Sequence, residues 1–190
     1  MNLYIARHGQ TEWNALHKMQ GRIDIELNDI GISQAYELNK EIKELNLRFD
    51  KIYVSPLKRA LKTAMIATER DESEFIIDDR LIEMDFGELE GKAYHFDIDI
   101  AMQKVSDQAF NLFFKPSIYE THKGETMDDV INRAKSFYDD LLKEDIKEDE
   151  NVLIIAHGAL LHGFLYVVNG LNNIDDFWKV ELKNAKLYKI

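Results

Sequence analysis

LYIARHG at residues 3–9 and VLIIAHG at residues 152–158 share one pattern, in which an apolar run ends at a histidine and a glycine. A short apolar run that stops at polar residues is typical of a buried strand leading into a loop. The second run continues a strand predicted over residues 151–156. Because this run is continuously apolar up to Ala156, we expect the strand to be central and covered on both faces.

Strands and helices alternate along the rest of the chain. Further short apolar runs predict strands at residues 51–54, 75–77 and 186–190. Apolar residues at helical spacing predict helices over residues 32–45, 57–65, 126–142 and 158–168. This alternation predicts an α/β fold, a three-layer sandwich with a mostly parallel central sheet flanked by helices.

Three segments between these elements have their own signals. Ser55 and Pro56 favour the start of a helix at residue 57, and Thr126 is suited to cap the helix that follows it. Residues 9–30 are polar and are predicted to form a long loop. Residues 92–122 mix aromatic and charged residues without a clean period, and we expect a helical lid insertion there that governs substrate choice. The length of 190 residues predicts one domain over residues 1–190.

Composition excludes several classes of protein. The chain has 45% hydrophobic and 31% charged residues, an ordinary globular balance. It has no cysteine, so disulfides, thiolate metal sites and cysteine nucleophiles are excluded. Its net charge is −11, which opposes binding to nucleic acid or anionic lipid. The first residues show no signal peptide, so we expect a cytoplasmic protein without nucleic-acid or membrane partners.

Polar residues follow the predicted strand ends, where ligands bind in parallel α/β sheets. They are Arg7-His8-Gly9, Ser55-Pro56 with Arg59 nearby, and His157-Gly158. We therefore expect two arginines and two histidines on one rim of the sheet. Arginine offers a planar fork of donors that matches phosphate oxygens, and Asn14 offers a neutral donor. This set suits a phosphoryl group.

The same residues suggest a reaction. A histidine beside arginine can remain neutral near pH 7, because a neighbouring cation disfavours a second positive charge. Its free ring nitrogen is then a nucleophile toward phosphorus. A carboxylic acid is needed to protonate the leaving alkoxide, and Glu83, in the segment after the third strand, is the best-placed candidate. Asp85 and Glu90 lie close to it and are the alternative carboxylates.

These residues and their order resemble the histidine phosphatase, or phosphoglycerate-mutase-like, superfamily. Its signature is similar to Arg7-His8-Gly9-Gln10-Thr11-Glu12-Trp13-Asn14. Further segments match in order, at residues 55–64, 81–91, 124–126 and 156–158. The resemblance implies that His8 is the phosphorylated nucleophile and Glu83 the proton donor. It implies that the phosphoryl group and substrate are held by Arg7, Asn14, Gln20, Gly21, Arg59, Glu83, His157 and Gly158.

The chain departs from the family pattern at three places. Many relatives have arginine where this chain has His162, and Gln20-Gly21 stands where true mutases have Thr-Gly. Residues 92–122 contain three lysines and no arginine, which disfavours a second anionic group. We therefore expect a phosphatase of small phosphomonoesters that uses no metal and no cofactor. The alternatives are a 2,3-bisphosphoglycerate-dependent phosphoglycerate mutase, a binding module for phosphorylated ligands that lacks turnover, and a metallohydrolase using His8 and His157.

Overall fold

A computed structural model describes residues 1–93, 107–121 and 123–190. Its sheet has five strands in the order β3-β2-β4-β1-β5. The strands are β1 (Asn2–Arg7), β2 (Lys51–Val54), β3 (Ile76–Ile77), β4 (Asn151–Ala156) and β5 (Leu187–Lys189). All neighbours pair in parallel except β5, which is antiparallel to β1. The predicted α/β fold with a mostly parallel sheet is confirmed, including the closing edge strand.

Helices cover both faces of the sheet. They are α1 (Glu12–Ala15), α2 (Asp29–Glu44), α3 (Lys58–Thr68), α4 (Asp107–Phe114), α5 (Met127–Leu141) and α6 (Gly158–Val168). Side chains of successive strand residues point to opposite faces. Accordingly Ile5 and Ile154 join one core cluster with α5 and α6, whereas Leu153 and Ile155 join the other with α2 and α3. The two central strands, β1 and β4, are thus buried on both sides.

Two local predictions are wrong. The predicted loop over residues 9–30 contains the short helix α1, and α2 already begins at Asp29, because the Asn28 side chain accepts a hydrogen bond from the backbone N–H of Gly31. Helix α3 begins at Lys58 after Leu57, with no side-chain cap, so Ser55 does not cap it. The prediction that Thr126 caps the helix after it is confirmed, since its side chain accepts from Asp129 N.

The predicted lid lies partly outside the described residues, at 94–106 and 122. Its described part contains α4 and a 3₁₀ turn at Pro116–Ile118. Across the described ranges, none of the helices combines the length and the apolar character needed to cross a bilayer.

Candidate active site

Strand register brings the polar residues of the rim together. Arg7, the last residue of β1, pairs with Ala156, the last residue of β4, and Val54 of β2 pairs with Ile155. The three strands therefore end at one level of the sheet. His8 directly follows β1, and its backbone N–H donates to Ala156 O at 3.0 Å, which places His8 beside His157. Their ring centroids lie 5.1 Å apart.

The buried ring of His8 is held in one tautomer. Its Nδ1 lies 2.6 Å from the carbonyl oxygen of Gly9. A carbonyl only accepts hydrogen bonds, so Nδ1 carries the proton and the lone pair of the neutral ring is on Nε2. Burial, followed by the charges of Arg59 and Arg7, holds the pKa of His8 well below its ordinary value. His8 is therefore a neutral imidazole with a free nucleophilic nitrogen.

His157 is also a neutral tautomer, with the opposite arrangement. Arg59 Nε donates to His157 Nδ1 at 3.2 Å, so Nδ1 carries the lone pair. The proton is on Nε2, which donates to Ser55 Oγ at 2.6 Å. Burial and the charge of Arg59 hold the pKa of His157 well below its ordinary value. Ser55, predicted as a helix cap, instead fixes the orientation of this imidazole.

Arg59 is fully buried and held by a turn of the chain. Its NH1 and NH2 groups donate to the carbonyl oxygens of Ile23, at 3.0 Å, and Gly21, at 2.7 Å. The Glu90 carboxylate fixes that turn by accepting from the N–H groups of Arg22 and Ile23. A Cβ on Gly21 would lie 2.6 Å from the backbone oxygen of Met84 and 2.1 Å from Glu90 Oε1, so glycine allows this close approach. Burial lowers the pKa of Arg59 to about 10, so Arg59 is still a cation at neutral pH.

The Glu83 carboxyl lies at the N-terminus of α6. Its Oε1 accepts from the backbone N–H groups of Met84, at 2.8 Å, and Leu160, at 3.1 Å, and its Oε2 accepts from Ala159 N at 3.2 Å. A carboxyl oxygen has two lone pairs, so Oε1 is saturated and Oε2 is the oxygen with room for a proton. Burial raises the pKa of Glu83 above its ordinary value, although the hydrogen bonds and both arginines oppose this. Glu83 is thus suited to give up a proton.

Arg133 of α5 positions the Glu83 segment, and the sequence alone does not reveal it. Its NH1 donates to the carbonyl oxygens of Arg80 and Ile82, both at 2.7 Å. Its Nε and NH2 donate to the carboxylate of Glu125 at 3.0 and 2.8 Å. Backbone carbonyls are present at every residue, so no residue type marks these partners. The match at Gly124-Glu125-Thr126 is the sole signal in the sequence for this contact.

Donors without partners point into the same space. Arg7 Nε and Gln20 Nε2 are buried, and within the described part of the chain neither has a hydrogen-bond partner. The Gln20 amide is oriented by Thr11 Oγ1, which donates to Gln20 Oε1 at 2.5 Å. Asn14 Oδ1 accepts from Thr11 N, which leaves the Asn14 amide nitrogen as a donor. Buried donors of this kind require an acceptor, and an anion supplies several.

A cavity of about 390 Å³ opens at the rim. Six of the predicted site residues line it: Arg7, His8, Asn14, Gln20, Glu83 and Gly158. A Cβ on Gly158 would lie 3.5 Å from Arg7 Cζ and 3.6 Å from Glu83 Oε2, so these two groups flank the start of α6. Gly21, Arg59 and His157 do not line the cavity and lie behind His8, where they contact one another as described above.

The remaining lining is mostly apolar. It includes the aromatic side chains of Phe86, Phe113, Phe114 and Trp178. The charged residues there are Lys18, Lys179 and Glu181. Of the three candidate proton donors, Glu83 lines the cavity, whereas Asp85 and Glu90 do not. Arg22 likewise lies outside the cavity lining and pairs with Glu125 at 3.0 Å.

A neutral histidine, a carboxyl with a raised pKa and two unpaired donors, one of them on an arginine, surround one cavity, and this combination suits a phosphoryl group. Comparison with known proteins gives the family: residues 3–190 match the histidine phosphatase superfamily (branch 1), and the chain belongs to it. The predicted resemblance is confirmed.

Individual relatives cover nearly the whole chain. Phosphoserine phosphatase 1 of Hydrogenobacter thermophilus is 30% identical over 185 residues, which is 97% of this chain and 83% of the relative. A 2,3-bisphosphoglycerate-dependent phosphoglycerate mutase of Streptococcus pneumoniae is 27% identical over 97% of this chain and 90% of its own. The crystal structure of a phosphoserine phosphatase from Entamoeba histolytica, in complex with 3-phosphoglyceric acid, is 28% identical. It superposes with a TM-score of 0.80 over 99% of this chain and 89% of its own.

Proposed function

We propose that this protein is a phosphatase that hydrolyses small-molecule phosphomonoesters through a phosphohistidine on His8, with Glu83 as proton donor. The observation that carries the proposal is the fixed tautomer of His8, because its Nδ1–H bond to Gly9 O leaves Nε2 as a nucleophile at the cavity. Family membership supports the same reaction class.

The first step forms a bond between His8 Nε2 and phosphorus and breaks the bond from phosphorus to the alcohol oxygen. The proton on Glu83 Oε2 passes to the leaving oxygen. The Gly9 carbonyl continues to accept from Nδ1–H, and so stabilises the positive charge that phosphorylation places on the ring. Arg7 Nε and Gln20 Nε2 are the donors assigned to the phosphoryl oxygens.

The second step uses water. The Glu83 carboxylate takes a proton from a water molecule, whose oxygen attacks phosphorus as the bond to Nε2 breaks. Inorganic phosphate leaves, His8 is again neutral and Glu83 is again protonated. The family resemblance implies that Arg59 and His157 also hold the phosphoryl group; in this structure both lie outside the cavity lining, and the two ring nitrogens of His157 are bonded to Arg59 and Ser55. Arg59 carries five N–H groups, and its contacts to His157, Ile23 and Gly21 use three, so two remain for the phosphoryl group.

A phosphatase is favoured over a mutase by the cavity itself. A mutase must bind an acceptor that carries a second anionic group. Arg7 is the one arginine among the cavity-lining residues described, and Lys179 pairs with Asp176 at 2.5 Å, so Lys18 is the one lysine of that lining left for a second anionic group. The two activities are separated by supplying 3-phosphoglycerate as acceptor and measuring whether phosphate appears in solution or on the acceptor.

O-Phosphoserine is the first substrate to assay. Relatives with that substrate in their names match this chain. Lys18 and Glu181 line the cavity and carry the charges that complement a carboxylate and an ammonium group. The aromatic lining makes phosphate esters of larger apolar alcohols the second class to test. A cytoplasmic location without metal, cofactor, nucleic-acid or membrane partner stays a prediction.

Trapping the intermediate tests the proposal. Wild-type protein mixed with substrate and quenched in alkaline denaturant should carry acid-labile, alkali-stable phosphate on His8, located by peptide mass spectrometry. His8→Ala should lose both label and turnover while remaining folded. His17→Ala is the matched control, since His17 is exposed and outside the cavity lining, and it should keep both. Phosphate found on a serine or aspartate would overturn the mechanism.

A further inference from the structure

The ring of His162 contacts two carbonyl oxygens at once. Its Nδ1 lies 2.6 Å from Gly158 O, and its Nε2 lies 2.7 Å from Val180 O. Carbonyl oxygens only accept, whereas a neutral imidazole donates from one nitrogen and carries a lone pair on the other. Both contacts are hydrogen bonds only when the ring is protonated on both nitrogens. With a neutral ring, one contact sets two lone pairs against each other.

These two carbonyls belong to parts of the molecule that support the site. Gly158 is the first residue of α6, whose next two N–H groups hold the Glu83 carboxyl. Val180 belongs to residues 178–182, here called the strap, all of which line the cavity. Within the strap, Leu182 O accepts from Arg7 NH1 at 3.4 Å. His162 therefore connects the segment that holds the acid to the segment that holds the phosphate-binding arginine.

We propose that His162 is a positioning residue. Its imidazolium donates hydrogen bonds to both the strap and the start of α6, and so holds the strap in the position that lets Arg7 bind phosphate. The proposal rests on the proposed function, in which this cavity binds phosphate. It assigns to that site one further residue, His162, and the second proton of its ring. The neutral ring releases one of the two carbonyls, and the Val180 contact, which joins separate segments, is the one whose loss loosens the strap.

The groups around His162 determine the pH range in which its ring is protonated and bonds to both carbonyls. From β1, the charge of Arg7 disfavours the imidazolium, and from the strap the charged neighbours are Lys179 and Glu181. The rings of Phe177 and Trp178 pack on it, with centroids 6.1 and 4.8 Å away. Burial lowers the pKa of His162 below its ordinary value of 6.5, although both carbonyls oppose this. The imidazolium is thus present at acid pH and lost as pH rises through that lowered pKa.

Trp178 gives a direct readout of His162 that needs no turnover. Its indole Nε1 donates to Leu112 O at 2.7 Å, so the ring is held beside His162. An imidazolium quenches indole emission. In a Trp13→Phe background, Trp178 emission should rise with pH in one transition centred below pH 6.5. His162→Gln and His162→Arg should abolish the transition. No transition, or an unchanged one in His162→Gln, would show that His162 does not titrate beside the strap.

Phosphate binding tests the positioning role. The competitive inhibition constant for inorganic phosphate is measured across pH, and each variant is compared with wild type at the same pH, which cancels the titration of phosphate, His8 and Glu83. His162→Gln should bind phosphate about threefold to tenfold more weakly at acid pH, the span of one lost hydrogen bond, and converge with wild type at higher pH. His162→Arg, a permanent cation with several donors, should stay tight throughout.

The two readouts separate failure of this inference from failure of the proposed function. A Trp178 transition together with variant-to-wild-type ratios that do not change with pH refutes the positioning role. If no form of the protein binds phosphate or hydrolyses esters, the phosphatase assignment falls, and with it the positioning role, while the fluorescence transition still reports the protonation of His162. Thermal unfolding of both variants shows that each is folded before either result is used.

Discussion

Substitution of Glu83 by glutamine tests the mechanism most severely, because the structure predicts both its small structural cost and its large catalytic one. Oε1 of Glu83 accepts two backbone N–H groups, so the glutamine oxygen must take that place. The amide NH₂ then replaces Oε2 and faces Ala159 N–H, which loses its acceptor. A buried donor left without an acceptor costs about 1–3 kcal/mol, so the variant should be less stable but still folded.

The catalytic loss should depend on the leaving group. An alkyl phosphate leaves as a strongly basic alkoxide, and without a proton donor its rate should fall roughly 10²–10⁴-fold. A p-nitrophenolate leaves well without a proton, so the first step on p-nitrophenyl phosphate should suffer far less. Hydrolysis of the intermediate still needs Glu83 as a base. Stopped-flow absorbance should therefore show a burst of nitrophenolate followed by slow turnover, with phosphohistidine accumulating.

The control is Asp85→Asn. Asp85 lies two residues away, its Oδ1 accepts from Gly87 N at 2.8 Å, and it does not line the cavity. Glu90 is unsuitable as a control, because its carboxylate holds the turn that binds Arg59. If Asp85→Asn shows the loss that depends on the leaving group and Glu83→Gln does not, the proton donor has been assigned to the wrong carboxylate.

Three further outcomes are expected. His8 and His157 have pKa values below 6.5 in the folded protein, so the unfolded chain binds more protons than the folded one below that pH. The free energy of unfolding, measured in urea, should therefore fall on acidification, and it should fall less in His157→Gln. Arg133→Met should lower stability by about 3 kcal/mol and turnover by about tenfold, and its effect should be less than additive with Glu125→Gln. Activity should survive EDTA, since two arginines supply the positive charge that a metal would provide. Recovery of lost activity by added zinc or magnesium would instead support a metallohydrolase.

The residues at the carboxyl edge of the sheet could be predicted, because the strands there end in polar residues. The apolar runs at residues 3–6 and 152–156 specify central strands, and parallel pairing then brings Arg7, His8 and His157 to one edge whatever the intervening loops do. Apolar spacing predicts the start of α2 at residue 32, three residues after its observed start at Asp29. In the structure Gly31 is helical and buried, since a Cβ there would lie 2.0 Å from Gln10 O. The glycine permits close packing rather than a turn.

Tautomers and supporting contacts could not be predicted in this way. The roles of His8 and His157 differ because one faces a carbonyl oxygen and the other an arginine N–H, and neither partner is marked by spacing in the sequence. Ser55 was expected to cap a helix, since serine before proline favours that role. The strand end instead directs its hydroxyl to the imidazole of His157.

A protein with a net charge of −11 must concentrate positive charge to hold a phosphate. Burial and, after it, this positive charge hold the pKa values of His8 and His157 below their ordinary value. A bound dianion reverses that field. Its negative charge offsets Arg7 and Arg59, the two cations that oppose a raised pKa at Glu83. On the proposed mechanism, substrate binding therefore strengthens the protonation of Glu83 before the alkoxide needs its proton. If Glu83 is partly ionised in the free enzyme, its protonated fraction should therefore increase in the complex, because the negative charge of the substrate raises the pKa of the carboxyl further.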